Sequence, residues 1–389
     1  MRSLLKHSDQ KNKSLSMKVI KNHINLFFLA FLLPLLGGAQ VISKDRKDLF
    51  VVGSESVNFQ SKITGSEYKL HINLPESYDK NNTTKKYPVF YALDGYRIFG
   101  ASTLVYNGIW DDGFAPEMII VGITNGTKTS PTLHRTRDLT PTVIERIESS
   151  GGASKFLKVL SDEIIPLIDS LYHSDKTNRT LAGTSFAGLF THYTLFTEPD
   201  LFNNYIINNP TLWWDNRYSY KLEEEFYRNN KSLNANVIYL NSEFNDMASA
   251  TQMVDQIKKH DYDNMIIDFR IVENMGHLGG EAEAINQGMR FAFKRPTIKL
   301  PEEELKEYCG TYKDGNYIRE IVIKDGELSL KREGELQGEK IKAIRKSEFA
   351  VLGRYFDFHF NRNEKGEVIG FYSQQSTNPH RSRTVIKIK

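Results

Sequence analysis

The alternation of short apolar runs with amphipathic segments between residues 66 and 295 most constrains the fold. Several runs are apolar at nearly every position, which is typical of buried parallel strands. Predicted strands cover Tyr68 to Leu74, Tyr87 to Leu93, Met118 to Ile123, Arg179 to Gly183, Tyr205 to Asn208, Val237 to Leu240 and Ile266 to Val272. Helical periodicity covers Ser154 to Tyr172, Phe186 to Phe196, Ala248 to His260 and Glu281 to Phe293. The order predicts an α/β fold in which a mostly parallel central sheet is flanked by helices.

The pattern changes near the segment from Pro296 to Pro301. Short alternating strands follow, separated by turn signals such as Asp325-Gly326 and Lys365-Gly366. We therefore expect a main domain over residues 41–297 and a small C-terminal β-rich domain over residues 298–389.

The first forty residues have the three-part layout of a secretory signal peptide. Lys18 and Lys21 precede an apolar run from Leu26 to Leu36, and small residues follow it. The run is shorter than the roughly 20 residues that a membrane-spanning helix needs. We expect an exported protein, periplasmic or extracellular, with no stable membrane insertion.

Charge argues against nucleic acid as a partner. Residues 1–40 contain six of the 51 basic residues and one of the 48 acidic residues, so the remainder has a net charge of −2. This remainder has no basic block of the kind that binds nucleic acid. Cys309 is the only cysteine, so no intrachain disulfide and no cysteine metal cluster can form.

A candidate nucleophile lies where a predicted strand meets a predicted helix. The segment from Gly183 to Ala187 fits G-x-S-x-G apart from Ala187, and Ser185 stands at its centre. Small neighbours are needed there because strand and helix backbones come close together. The position predicts a nucleophile elbow.

A serine needs a general base, and in this type of fold the acid and the histidine follow the serine along the chain. His277 comes directly after the last predicted strand, whereas His192 is expected to be a core or surface residue. Glu243 is the preferred acid and Asp246 the second choice, both after the strand ending at Leu240. A Ser-His dyad without an acid stays open.

Ester hydrolysis also requires donors for the oxyanion. The backbone N–H of Phe186, directly after the nucleophile, is the first candidate. The N–H of Tyr96, in the turn after the strand ending at Leu93, is the second.

Six ordered segments resemble the putative-esterase family of α/β-hydrolases, which includes esterase D and enterobactin-esterase-like enzymes. They are Leu93-Asp94-Gly95, Arg135 to Pro141, the Ser185 elbow, Asn209 to Asp215, Asn241 to Met247 and Gly276-His277. The resemblance implies that Ser185, His277 and Glu243 form a triad and that Arg137 and Trp213 border the substrate cleft. Bracing of a loop by Arg137 and a core position for Trp213 are the alternatives. Asn209, Asn241 and Ala187 depart from the family pattern.

Together these features predict a serine hydrolase that cleaves carboxylic esters through an acyl-enzyme, with no cofactor and no metal. The substrate class includes siderophore esters and acylated sugars. Two rival hypotheses are a glycan- or ligand-binding protein on a hydrolase scaffold and an acyltransferase. Sequence alone leaves the oligomeric state open.

Overall fold

A computed structural model describes residues 51–125, 131–295, 297–332, 334–335, 337–351, 356–375 and 378–389. The predicted signal peptide, residues 1–40, lies outside the described residues. Among the residues described, no helix is both long and apolar enough to cross a membrane.

An eight-stranded sheet has the order β1-β2-β4-β3-β5-β6-β7-β8. Strands β3 to β8 pair in parallel, whereas β1 and β2 add an antiparallel edge. The strands are β1 (Ser54–Gln60), β2 (Glu67–Asn73), β3 (Tyr87–Leu93), β4 (Ile119–Asn125), β5 (Ser174–Thr184), β6 (Asn204–Asn208), β7 (Asn236–Ser242) and β8 (Ile266–Val272). Because β3 and β5 to β8 run in parallel, their carboxyl ends meet at one edge of the sheet.

Helices cover both faces of this sheet. They are α1 (Gly95–Asp111), α2 (Pro131–Leu139), α3 (Ala153–Lys158), α4 (Ile165–Leu171), α5 (Phe186–Leu195), α6 (Trp214–Asn229), α7 (Met247–His260) and α8 (Glu281–Ala292). One face packs against α1 and α8 through Phe90, Ile120, Ile206 and Ile238. The other packs against α3 to α7 through Tyr91, Val121, Leu181 and Tyr239. The predicted α/β fold is confirmed.

The long helix predicted over Ser154 to Tyr172 is divided by one π-helical segment, Val159–Ile164, between α3 and α4. Pro166 follows this segment and has no N–H for the helical ladder, which favours such an irregularity. β1, α1, α2 and α6 have no counterpart among the predicted elements.

The C-terminal strands form a closed antiparallel barrel, so the predicted β-rich domain is confirmed as a fold. A short helix, α9 (Glu302–Tyr308), precedes β9 (Gly310–Asp314), β10 (Tyr317–Lys324), β11 (Glu327–Arg332), β12 (Glu339–Arg345), β13 (Glu348–Val351), β14 (Phe356–Arg362), β15 (Val368–Gln375) and β16 (Asn378–Lys387). Asp325 and Gly326 both have positive φ and connect β10 to β11, as their turn signal predicts. The boundary at residue 297 stays a prediction.

Candidate active site

Ser185 occupies a sharp turn between β5 and α5. Its φ of 64° and ψ of −118° lie outside the regions that a serine ordinarily adopts, so the turn stores backbone strain. A Cβ on Gly183 would collide with the Ala187 carbonyl, and one on Gly188 would lie 2.7 Å from the Asn208 carbonyl oxygen. Ala187 itself is buried, so alanine fits where the motif usually has glycine. The geometry is that of a nucleophile elbow.

His277 lies in the loop after β8, at the same sheet edge as Ser185. The two loops are joined through consecutive residues at the end of β6. Asn208 O accepts from Ser185 N at 3.1 Å, and Asn209 Nδ2 donates to His277 O at 2.9 Å. No hydrogen bond between the Ser185 and His277 side chains occurs in the described part of the chain. The contacts of Asn208 and Asn209 nevertheless bring the loop of the predicted base close to the turn of the nucleophile, and the imidazole is half-buried.

The two predicted acids have other partners. Glu243 is exposed, and its Oε2 accepts from Asn274 N at 2.7 Å. Asp246 caps α7 by accepting from Ser249 N at 3.1 Å. Asn245, between them, places Oδ1 3.1 Å from His277 Nδ1. An amide, not a carboxylate, is thus the group that contacts the imidazole.

Both predicted oxyanion donors lie in the first turn of a helix at this edge. Phe186 opens α5, and Tyr96 is the second residue of α1. Neither backbone N–H donates to another residue among those described, as is usual for the first amides of a helix. Each N–H is therefore available to a ligand, and the helix termini favour negative charge there.

Arg135 connects the two turns that carry these amides. Its Nε lies 2.9 and 2.8 Å from the two carboxylate oxygens of Asp94, directly after β3. One terminal nitrogen donates to Thr184 O at 3.1 Å, and the guanidinium lies 5.1 Å from the Phe186 ring centre. Arg135 was not singled out in the sequence, although it falls in one of the resembling segments.

Burial and nearby charges both act on the pKa of His277. Burial lowers its pKa, and the positive charge of Arg135 lowers it further, while Glu281 partly opposes them. Arg135 and Arg97 are themselves ion-paired, with Asp94 and with Glu281 at 2.6 Å. A neutral imidazole can accept a proton, which a general base requires.

Arg137 and Trp213 differ in their surroundings. Arg137 donates to both carboxylate oxygens of Asp138 at 2.6 and 2.9 Å and to Ser66 Oγ at 2.8 Å. These contacts are those of the loop-bracing alternative. Trp213 has 51% of its surface exposed, whereas Trp214 is buried and packs edge-on against Phe186 with ring centres 5.4 Å apart.

Two other histidines are internally bonded. His192 is fully buried between the Tyr239 hydroxyl and the Ser219 carbonyl, and burial lowers its pKa to about 4. Of the two predicted positions, core or surface, His192 occupies the core. Glu223, Glu224 and His260 bring potential metal ligands within 4.8 Å of one another. Glu223 already accepts hydrogen bonds from Gln256 and Tyr262, which favours a structural role for this cluster.

The sequence of the main domain is similar to that of known proteins. A model of the family described as Putative esterase matches residues 61–272. The ferri-bacillibactin esterase BesA of Bacillus subtilis is 25% identical over 268 residues, which are 62% of this chain and 90% of that protein. An endo-1,4-beta-xylanase/feruloyl esterase of Xylanibacter ruminicola is 29% identical over 187 residues, 42% of this chain and 23% of that protein.

Solved structures also resemble the main domain. The BES protein from Bacillus cereus has a TM-score of 0.58 at 25% identity and covers 64% of this chain and 98% of its own. An IroE-like serine hydrolase from Shewanella oneidensis has a TM-score of 0.56 at 23% identity, and the match covers 65% of this chain and 85% of that one.

Proposed function

The chain belongs to the Putative esterase family, and from this membership we propose that it is an exported serine hydrolase that cleaves carboxylic esters through Ser185 and His277. The observation that carries the proposal is the strained conformation of Ser185 at the turn from β5 into α5. Such strain is retained where it serves function, because it costs the fold about 1–3 kcal/mol. A nucleophile elbow presents the serine hydroxyl at the carboxyl edge of the sheet.

The reaction follows from the groups at the sheet edge. His277 Nε2 takes the proton of Ser185 as the serine oxygen attacks the ester carbonyl. The N–H groups of Phe186 and Tyr96 hold the oxyanion that forms. His277 then protonates the leaving alcohol, and water releases the acyl group by the same steps. Nitrogen Nδ1 stays protonated throughout.

The surroundings of the site favour an aromatic ester. Large apolar side chains that follow the carboxyl ends of β3, β6, β7 and β8 are exposed, and we call them the collar: Tyr96, Trp213, Phe244, Met275 and Leu278. An exposed apolar group of this kind is typical of a binding surface. Two relatives are named as esterases of a siderophore and of feruloyl groups. We propose an ester that carries an aromatic group, of the siderophore or the feruloyl type.

Export is part of the proposal and rests on the signal-like segment before residue 41. N-terminal sequencing of the protein recovered from culture fluid or periplasm tests it. A chain that remains in the cytoplasm with Lys18 and Lys21 intact would contradict it.

The first experiment compares Ser185→Ala with wild type on short-chain nitrophenyl esters. We expect kcat to fall about 10⁴- to 10⁶-fold, because removal of the nucleophile abolishes the acyl-enzyme. A fluorophosphonate probe should label wild type on the peptide that contains Ser185. Ser170→Ala, on the exposed side of α4, is the matched control and should keep full activity and labelling.

Two results would contradict the proposal. Unlabelled, inactive wild type would favour a binding protein, and activity that persists in Ser185→Ala would place the chemistry elsewhere. With Ser185 established, a panel of catechol triesters, feruloyl sugars and acetyl esters identifies the acyl group. Addition of an acceptor alcohol separates hydrolysis from acyl transfer.

A further inference from the structure

Asn209 has an orientation that two backbone groups fix. Its Oδ1 accepts from Ser242 N at 2.7 Å, and its Nδ2 donates to His277 O at 2.9 Å. A backbone N–H can only donate and a carbonyl can only accept, so exchange of the amide oxygen and nitrogen would break both contacts. Asn209 is fully buried and has a φ of 41°, a left-handed conformation that asparagine tolerates.

The orientation of Asn209 determines that of Asn245. Asn245 Nδ2 lies 3.2 Å from Asn209 Oδ1, which is an acceptor, so the nitrogen must face it. The same Nδ2 lies 3.4 Å from Asn241 Oδ1, and Asn241 is oriented by its own donation to the Ser242 carbonyl at 3.1 Å. Both neighbours therefore require Asn245 to present Oδ1 on its other side.

His277 lies on that side, and its tautomer follows. Asn245 Oδ1 can only accept, so His277 Nδ1 must carry a hydrogen and donate it across the 3.1 Å contact. In a neutral imidazole the other nitrogen, Nε2, is then unprotonated. This is the form that can remove a proton from a serine hydroxyl.

We propose that Asn245 is the positioning residue of His277 and takes the part that a carboxylate has in a conventional triad. Asn209 and Asn241 fix the orientation of the Asn245 amide. The proposal rests on the proposed function, because it assigns a role relative to the general base. It also gives a reason for Asn209 and Asn241, which depart from the family pattern. We call these three residues the amide network.

The charge around His277 differs from that of a triad with an acid. Arg135 faces it from α2, Arg97 from α1 and Glu281 from α8, while Glu243 bonds to Asn274 and Asp246 caps α7. A neutral amide orients the imidazole but adds no negative charge to stabilise its protonated form. In the pH profile of kcat/KM, the midpoint of the acid limb should therefore lie below the ordinary histidine pKa of 6.5.

The test measures the pH dependence of kcat and KM for Asn245→Ala, Asn245→Asp and Glu243→Gln in the full chain, with a nitrophenyl ester. In Asn245→Ala we expect kcat to fall about 10- to 100-fold, with KM within about threefold, because the tautomer is no longer fixed. In Asn245→Asp the acid limb should move up by about one pH unit or more, because a carboxylate favours the imidazolium. Glu243→Gln should lower kcat less than Asn245→Ala does.

The pH shift is a readout that a purely structural role would not produce, and it applies even if Asn245→Ala folds poorly. An unshifted acid limb in Asn245→Asp, an unchanged kcat in Asn245→Ala, or a larger loss in Glu243→Gln would overturn the proposal. In each of these cases covalent labelling of Ser185 leaves the esterase function standing. Loss of that labelling in wild type would instead contradict the proposed function itself.

Discussion

The carboxyl edge of the sheet and the interior of the barrel bury their side chains in opposite ways. At the sheet edge, polar groups are buried and several residues have positive φ, among them Asp94, Ser185 and Asn209. The barrel interior is filled with aromatic rings that contact one another, namely Tyr308, Tyr312, Phe349, Phe358, Phe360 and Phe371. The first arrangement keeps strain and orients hydrogen bonds, whereas the second maximises apolar burial. Activity should therefore depend on the edge, and stability of the C-terminal domain on the rings.

Phe360→Ala should have the largest effect on stability. Phe360 lies with its ring centre 4.8 Å from that of Tyr308 and 5.3 Å from those of Phe349 and Phe371. Its removal leaves a cavity and should lower the free energy of unfolding of the barrel by about 3–5 kcal/mol. Chemical denaturation measures this loss.

Because Phe360 lies in the barrel, kcat on a nitrophenyl ester should be unchanged by Phe360→Ala below the unfolding transition. Tyr317→Ala, at an exposed aromatic residue of β10, is the matched control and should change stability by less than about 0.5 kcal/mol. A fall in kcat at temperatures where Phe360→Ala is folded would show that the barrel supports the active site.

Arg135→Lys should have the next largest effect, on catalysis. Lysine keeps the positive charge but cannot contact Asp94, the Thr184 carbonyl and the Phe186 ring with one planar group. The turns that carry the Tyr96 and Phe186 amides would then be held less rigidly. We expect kcat to fall about tenfold or more, with little change in KM, because displaced oxyanion donors act mainly on the transition state.

Arg179→Lys is a control for this substitution, because Arg179 is likewise a largely buried arginine that pairs with an aspartate. Arg179 pairs with Asp169 at 2.7 Å, on β5 before the residues that lead into the elbow. The Arg179→Lys substitution should leave kcat unchanged. Equal losses in the two variants would mean that Arg135 acts through general stability and not through the oxyanion donors.

Much of the main domain could be predicted because its strands are buried on both faces. β3 and β8 both have the predicted bounds. β3 is a nearly continuous apolar run in the middle of the sheet, which is a strong signal for a buried parallel strand, whereas β8 is an edge strand whose apolar residues alternate with Asp268 and Arg270. Helix α1 was left out because it begins after a left-handed Asp94 with no side-chain cap and includes glycine, serine and threonine. Such residues weaken the helical signal, and only packing against the sheet and α8 compensates for them.

The site was predicted less completely, for reasons of geometry. Arg135 and Arg137 are two residues apart in α2, so they point to nearly opposite sides of the helix. Without the folded chain there is no basis for choosing Arg135 over Arg137. Asn245 lies between two carboxylates that are chemically better partners for histidine. Its selection depends on amide orientations fixed by Asn209 and Asn241, which come together only in the folded chain.

Trp213→Ala should have the smallest effect and concerns the collar. Trp213 is half-exposed, and its ring centre lies 5.9 Å from that of Trp214, which packs on Phe186 beside the nucleophile. A stacking contact with an aromatic ring of the substrate contributes about 0.5–1.5 kcal/mol, so KM for a feruloyl or catechol ester should rise about two- to tenfold. An acetyl ester of an aliphatic alcohol is the control, because it has no aromatic ring to stack on the tryptophan and should keep its KM. If both esters lose affinity equally, Trp213 supports the fold of the loop after β6 and the collar does not select the acyl group.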